Sequence, residues 1–345
     1  MMTGKTLLHH GWPQGPLLGL ALQAAAALPQ LSDEEVLIQL EQVRANPKAF
    51  AVPGSEHEQL AKALLALQVQ ETATLRDEPL PAPVWGERLI DARAVEQLHN
   101  AMRLPVTVAG ALMPDAHVGY GIPIGGVVAL EGAVAPFMVG VDIACRMMMS
   151  VYPLVPETLL GDPAKRADLR AALREETRFG IGAAFDKGER RQHEVLDDPV
   201  WQDTKLLKGL QDKAHAQLGT SGSGNHFVDV GILNIDPVGA ATLNLEPGRY
   251  LSVMSHSGSR GVGATIADHY AKLAQRLSRL PPDFKHLAWL ALDSEPGQAY
   301  WAAMNLAGRF ASANHHTLHA ALGKRLGIKP LKQLENHHNF AWLER

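Results

Sequence analysis

Apolar positions recur at helical spacing through residues 1–80. Ser32 and Glu35 stand three apart, the spacing of a capping box, and Val36, Leu37, Leu40 and Val43 continue on one helical face until Pro47. A second helix is expected over 56–69. The apolar run 17-LLGLALQAAAAL-28 lies behind Lys5 and loosely imitates a secretory signal. It follows the polar, Pro-containing 9-HHGWPQGP-16 and is too short to span a bilayer, so an amphipathic or buried helix is the expectation. The Pro-rich segment 77-DEPLPAPVW-85 reads as a linker.

Beyond the linker the texture changes. From Val106 to Tyr152 Gly and β-branched residues dominate, which predicts short strands and tight turns. Helical patterns return at 157–174, 204–217, 262–278 and 298–322, with strands expected near 226–232 and 250–255. The sum is an α+β chain in which Gly-rich loops carry the polar residues.

Charge narrows the partners only slightly. A formal net charge of -4 excludes a broadly basic nucleic-acid coat but leaves room for a local basic surface. Lys165, Arg166, Arg170 and Arg174 recur on one side of an expected helix, and Lys187, Arg190 and Arg191 follow in a polar loop. Cys145 is the chain's one cysteine, so no internal disulfide forms, and a reducing, cytoplasmic setting is the expectation. No segment is apolar for long enough to imply a membrane partner.

The candidate chemistry lies in five short segments. They are 113-MPDAHVGYGIPIGG-126, 139-VGVDIACRM-147, 218-LGTSGSGNHF-227, 254-MSHSGSRG-261 and 335-ENHHNF-340. Glycine lets a backbone approach a metal or phosphate closely and adopt positive φ. Taken singly, Asp142 reads as a helix cap, Cys145 as a small core residue, Asp115 as a turn residue, and His226, His256 and His338 as satisfied histidines. Taken together, one thiol, one carboxylate and three imidazoles in loops suit transition-metal ligation. Five donors are too many for one tetrahedral site. They suit two metals sharing a bridging thiolate, and paired metals suit phosphate chemistry.

These five segments, in this order, resemble the RtcB family of RNA-splicing ligases. Its pattern runs M-P-D-x-H-x-G, V-G-V-D-I-x-C, G-x-x-G-x-G-N-H-F, H-S-G-S-R-G and H-N. The resemblance covers about 84–345, an RtcB-like catalytic domain, and leaves 1–80 as a helical N-terminal extension without an assigned role.

The resemblance implies that such a protein joins RNA 2′,3′-cyclic phosphate or 3′-phosphate ends to 5′-hydroxyl ends, with two Mn²⁺ and GTP, in tRNA splicing and RNA repair. It implies one Mn²⁺ held by Asp142, Cys145 and His226 and another by Cys145, His256 and His338. It places the guanylate against Asn225, His226, Phe227, Val228 and Asp229, with His338 and Asn339 contributing. Asp115 and His117 match catalytic positions near the metals, and Arg260 is a candidate phosphate partner.

Three departures stand out. Asp229 stands where the family usually has Glu, and Arg146 where many members have Gly. Family members also continue past the H-N-F with a Gly-Ser-Met loop and an S-H-G-A-G-R motif whose His accepts GMP. Neither has a counterpart up to Arg345, so the domain is expected to be incomplete at its C-terminus. His315, His316 and His319 fall on an expected helix and are no substitutes. The function expected is RNA ligation. The alternatives are a relative that hydrolyses cyclic phosphates or binds RNA ends without guanylylation, and a non-catalytic metal-binding protein.

Overall fold

The computed structural model describes residues 2–13, 15–68 and 74–344. The chain divides into two compact units. One is Met1–Thr74 with Arg276–Pro281, and the other is Leu75–Gln275 with Pro282–Arg345.

The first unit is helical: α1 (Gly4–His9), α2 (Pro16–Ala26), α3 (Asp33–Ala45), α4 (Pro47–Phe50) and α5 (Glu58–Gln68). Leu7, Trp12, Ala21, Val36, Leu40, Val43 and Leu60 form its core. The signal-like run is therefore α2, and its Ala21 and Ala24 are buried in that core. The helix expected over 56–69 is α5, while Val69 lies outside the described residues. The capping box forms as expected. Glu35 N donates to Ser32 Oγ, and Glu35 Oε2 accepts from Ser32 N at 2.9 Å. Ser32→Ala is expected to cost about 1 kcal/mol, to be read as a shifted denaturant midpoint at unchanged slope.

The second unit opens with α6 (Ala92–Met102), which packs Leu98 and Met102 on Leu112 and Ala116. Those two belong to a hairpin of β1 (Thr107–His117) and β2 (Ile124–Leu130). Two short strands, β3 (Ala133–Val134) and β7 (Leu290–Ala291), pair elsewhere. The segment 157–174, read as one helix, is two: α8 (Pro156–Leu160) and α9 (Pro163–Glu175), with α7 (Pro136–Val139) before them. Asp162 accepts from Ala164 N and Lys165 N and Pro163 takes the first helical position, so the chain restarts a helix there. The remaining elements are α10 (Lys205–Gln217), α11 (Pro237–Leu243), α12 (Arg260–Ser278) and α13 (Glu295–Leu326). No helix among the described residues is long and apolar enough to cross a membrane.

The element that positions the chemistry is a four-stranded antiparallel sheet. Its order is β5 (Phe227–Ile235), β6 (Gly248–Ser257), β4 (Arg146–Tyr152), β8 (Lys332–His337). Side chains alternate between its faces. Val228, Tyr152, Leu251 and Val253 share one face and pack with Leu318 and Leu322 of α13. Ser150 pairs with Val253 and Met148 with Ser255, so those residues lie on that same face. Phe227 pairs with His256, which places both on the opposite face.

The face under α13 is more polar than strand alternation suggests. Arg146, only 6% exposed, forms an ion pair with Glu335 at 2.9 Å and donates to Gly308 O. A chain of hydrogen bonds crosses the same face. Gln333 Nε2 meets Ser150 Oγ at 2.9 Å, Ser150 Oγ meets His319 Nδ1 at 2.7 Å, His319 Nε2 meets Ser255 Oγ at 2.7 Å, and Ser255 Oγ meets His315 Nδ1 at 2.6 Å. His315 Nε2 ends the chain on Ser257 O at 3.1 Å.

Candidate metal centre

Antiparallel pairing brings four strand ends to one end of the sheet. Cys145 immediately precedes β4, His226 immediately precedes β5, His256 lies near the end of β6, and His338 immediately follows β8. Residues separated by up to nearly two hundred positions thus become neighbours.

The Asp142–Cys145 segment is a turn, with Cys145 N donating to Asp142 O at 3.0 Å. Ala144 takes the left-handed conformation at φ 58°, an uncommon state for a residue with a Cβ. Surrounding hydrogen bonds hold it there. Asn339 Nδ2 donates to Asp142 O, Ala144 N donates to Asn339 O, Ser259 Oγ donates to Ile143 O, and His338 N donates to Cys145 O. Asp115 and Arg260, also non-glycine residues at positive φ, lie in two others of the five segments. Such strained positions cluster where surrounding structure over-determines them.

The five donors form a line centred on the thiol. Asp142 Oδ2 lies 2.9 Å from His226 Nε2, and His226 Nε2 lies 3.3 Å from Cys145 Sγ. Cys145 Sγ lies 3.1 Å from His256 Nε2, which lies 3.3 Å from His338 Nε2. The donor atoms of Cys145, His226 and His256 are all within 4.8 Å of one another. Asp142 Oδ2 is buried and, despite its proximity to His226, forms no hydrogen bond. An orphaned carboxylate oxygen beside a thiol and inward-turned imidazoles is a donor set that fits a cation.

Protonation points the same way. His256 Nδ1 donates to Asn225 O at 3.0 Å, which leaves Nε2 as the lone pair of a neutral ring. Burial holds His256 and His338 below the ordinary imidazole value, keeping both neutral at pH 7. Burial, reinforced by the Asp142 charge, pushes the Cys145 thiol far up. A bound cation reverses that balance and deprotonates a coordinating thiol. His226 differs: its Nδ1 accepts from Arg260 Nη1 at 2.9 Å, so its neutral ring carries the proton on Nε2.

The other sequence candidates are distributed unevenly. Asn225 orients His256 through its carbonyl, and the Phe227 ring lies edge-on to His256 at 5.7 Å between centroids. The Val228 side chain is buried under α13, whereas Asp229 is exposed on the opposite face. Asn339 supports the Asp142–Cys145 turn. Asp115 and His117 are exposed on β1, joined to each other by His117 Nδ1 and Asp115 O at 3.1 Å. Among the described residues no hydrogen bond or ion pair links them to the Cys145 cluster. The expected basic surface is partly neutralised, since Arg190 pairs with Asp212 and Arg191 with Glu176. Arg166 is turned onto Leu160 O and Lys165 onto Thr158 O.

Two supports escaped the sequence reading. Asn314 Oδ1 accepts from Gly219 N and Thr220 N, fixing the loop that leads to His226. Gly258 is required by contact: a Cβ there would meet both Asp142 carboxylate oxygens at 2.4 Å. Gly258→Ala is expected to displace Asp142 and weaken metal binding roughly 10–100-fold, the usual effect of disturbing a ligand's support. Calorimetric titration with Mn²⁺, alongside an unchanged melting temperature in chelator, checks this.

Comparison with known proteins identifies the class. The family model described as "tRNA-splicing ligase RtcB" matches residues 97–206 and 199–345. The chain belongs to the RtcB family. It is 29% identical over 294 residues to "RNA-splicing ligase RtcB homolog 1" of Entamoeba dispar, covering 72% of this chain and 54% of that protein. It is 32% identical over 265 residues to "tRNA-splicing ligase RtcB" of Archaeoglobus fulgidus, covering 67% and 55%. With "RNA-splicing ligase RtcB" of Escherichia coli K12 it shares 29% over 303 residues, covering 79% and 69%. The chain spans about half the length of the first two relatives.

Proposed function

We propose that this chain carries the metal centre of an RNA ligase that joins 2′,3′-cyclic phosphate or 3′-phosphate ends to 5′-hydroxyl ends using Mn²⁺ and GTP. The observation that supports it best is the five-donor line with Cys145 at its middle. Asp142, Cys145 and His226 would hold one Mn²⁺, and Cys145, His256 and His338 the other. A mixed thiolate, imidazole and carboxylate set suits Mn²⁺ over Mg²⁺. When bound, such a pair neutralises phosphate oxygens and orients an in-line displacement.

The chain's own residues supply the rest. Asn225, His226, Phe227, Val228 and Asp229 would meet the guanylate, with His338 and Asn339 contributing. Transfer of GMP from GTP to the RNA 3′-phosphate releases pyrophosphate, and attack by the 5′-hydroxyl oxygen then expels GMP. Arg260 is partly withdrawn from water and now occupied by His226. A His226 that offers its Nε2 lone pair carries the proton on Nδ1. That state excludes the present Arg260 contact and frees the guanidinium for a phosphate. Asp115 and His117, exposed at the hairpin tip, would reach the RNA ends.

The test uses the full chain with RNA fragments ending in 3′-phosphate and 5′-hydroxyl. Mn²⁺-dependent binding of GTP and of the 3′-phosphate end, both lost in Cys145→Ala, is expected. Binding of neither, or binding unaffected by Cys145→Ala, overturns the reading.

A further inference from the structure

A surface cavity of about 950 Å³ lies on the α13 side of the sheet, where the end of α13 runs into the start of β8. Arg191, His193, His316, Lys324, Lys329 and Gln333 line it, together with Thr317, His319 and small residues of α13. No aspartate or glutamate is among the lining residues. The metal centre is at the other end of the strands. Cys145 and His338 sit beside the Arg146 end of β4, whereas Gln333 pairs with Ser150, four residues further along.

We propose that this cavity is a second anion-binding site, separate from the metal centre, that takes a ligand bearing several phosphates. Its cations come from three places in the chain: the loop holding Arg191, the last turn of α13 with Lys324, and the α13–β8 connection with Lys329. A ligand that engages all three presents negative charge at several points, as a polyphosphate or a nucleic-acid backbone does. Lys324 and Lys329 are exposed and pair with no carboxylate among the described residues. Arg191 shares its charge with Glu176 and adds less than the two lysines. His193 accepts from Val195 N through Nδ1, which leaves Nε2–H as a donor in the neutral ring.

Glu176 beside Arg191 and Glu335 beside His316 oppose anion binding, and so does the helix end. The C-terminus of α13 carries about half a negative charge. It is outweighed by the full charges of Lys324 and Lys329, and the last carbonyls are already satisfied, with Gly323 O and Lys324 O accepting from Ile328 N and Gly327 N. The site stands on this geometry and does not depend on the ligase reading.

The experiment uses the full chain in chelator, so that bound metal contributes nothing. Inorganic tripolyphosphate and a short oligouridylate are titrated separately at low and moderate salt. Both the wild type and Cys145→Ala are expected to bind, with affinity falling as salt rises. Lys324→Glu with Lys329→Glu is expected to weaken binding at least about tenfold at unchanged melting temperature, and the double Lys→Arg variant to restore it. Loss of both ligands in the Glu variant assigns the site to an RNA strand. Loss of tripolyphosphate alone assigns it to a free polyphosphate. The proposal is overturned if the wild type binds neither probe. It is equally overturned if the Glu variant binds like the wild type, or if Cys145→Ala abolishes binding.

Discussion

Cys145→Ala is expected to release all bound divalent metal, whereas His338→Ala and Asp142→Asn are each expected to release one of two ions. The asymmetry follows from the order of the donors. Cys145 Sγ lies between His226 Nε2 at 3.3 Å and His256 Nε2 at 3.1 Å, so it alone belongs to both halves of the line. Asp142 and His338 stand at opposite ends, each in contact with one half. The thiol contributes more than position. Its ionisation, opposed by burial and by Asp142 in the metal-free protein, becomes favourable only when a cation is present. Metal uptake is therefore expected to release protons, and substitution by Ala removes that charge from the middle of the site. Elemental analysis after desalting measures the stoichiometry. Retention of one ion per chain by Cys145→Ala, equal to His338→Ala, would sink the shared-thiolate arrangement. Melting in chelator separates this from misfolding, since Cys145 sits at one end of β4 and Cys145→Ala removes a single sulfur atom.

The donors were legible in the sequence because they sit in short Gly-rich or polar segments, where ligand-type side chains have little structural reason to accumulate. Their convergence was legible through the family pattern, and the strands explain it afterwards: β4, β5, β6 and β8 each start or stop at a donor. What escaped was the support. β8, 332-KQLENH-337, has Leu334 as its one apolar residue and sits at the sheet edge, so hydrophobic alternation carries no signal for it. Arg146 stood out only as a departure from the family pattern. The structure pairs its buried guanidinium with the more exposed Glu335, whose carboxyl stays ionised: burial opposes this, but the Arg146 hydrogen bond and charge outweigh burial. Ser150, Ser255 and Ser257 occupy inward positions that read as ordinary small core residues. Nothing in a single sequence pairs them with His315 and His319, which lie about sixty or more residues away. The spacing of those two histidines at i and i+4 placed them on one helix face but not what that face meets.

That buried pair is expected to make the metal-free protein acid-labile well above the usual carboxylate range. The hydrogen-bond chain fixes both rings as neutral. Ser257 O can only accept, so His315 carries its proton on Nε2 and accepts from Ser255 Oγ at Nδ1. Ser255 Oγ then accepts from His319 Nε2–H, and His319 Nδ1 accepts from Ser150 Oγ–H, which in turn accepts from Gln333. Neither ring has a free nitrogen for a second proton. Burial accordingly pushes His315 down to about 4, and burial with the neighbouring imidazoles pushes His319 down to about 3. In the unfolded chain both titrate near 6.5. Between those values the unfolded state binds more protons than the folded one, so stability rises with pH. The contribution is complete above pH 6.5 and is lost as pH falls from there toward 4. A tenfold difference in proton affinity between the folded and unfolded chain is worth about 1.4 kcal/mol, so the two groups together contribute several kcal/mol, a large share of a typical domain's stability. Denaturant unfolding in chelator at pH 7 and pH 5 measures the loss. The double variant His315→Gln, His319→Gln is expected to be less stable at pH 7 but to show a flatter pH dependence. The remaining slope then belongs to the other depressed histidines, His256, His286, His337 and His338. A variant whose stability falls between pH 7 and pH 5 as steeply as the wild type would show that His315 and His319 are not the groups taking up protons on unfolding.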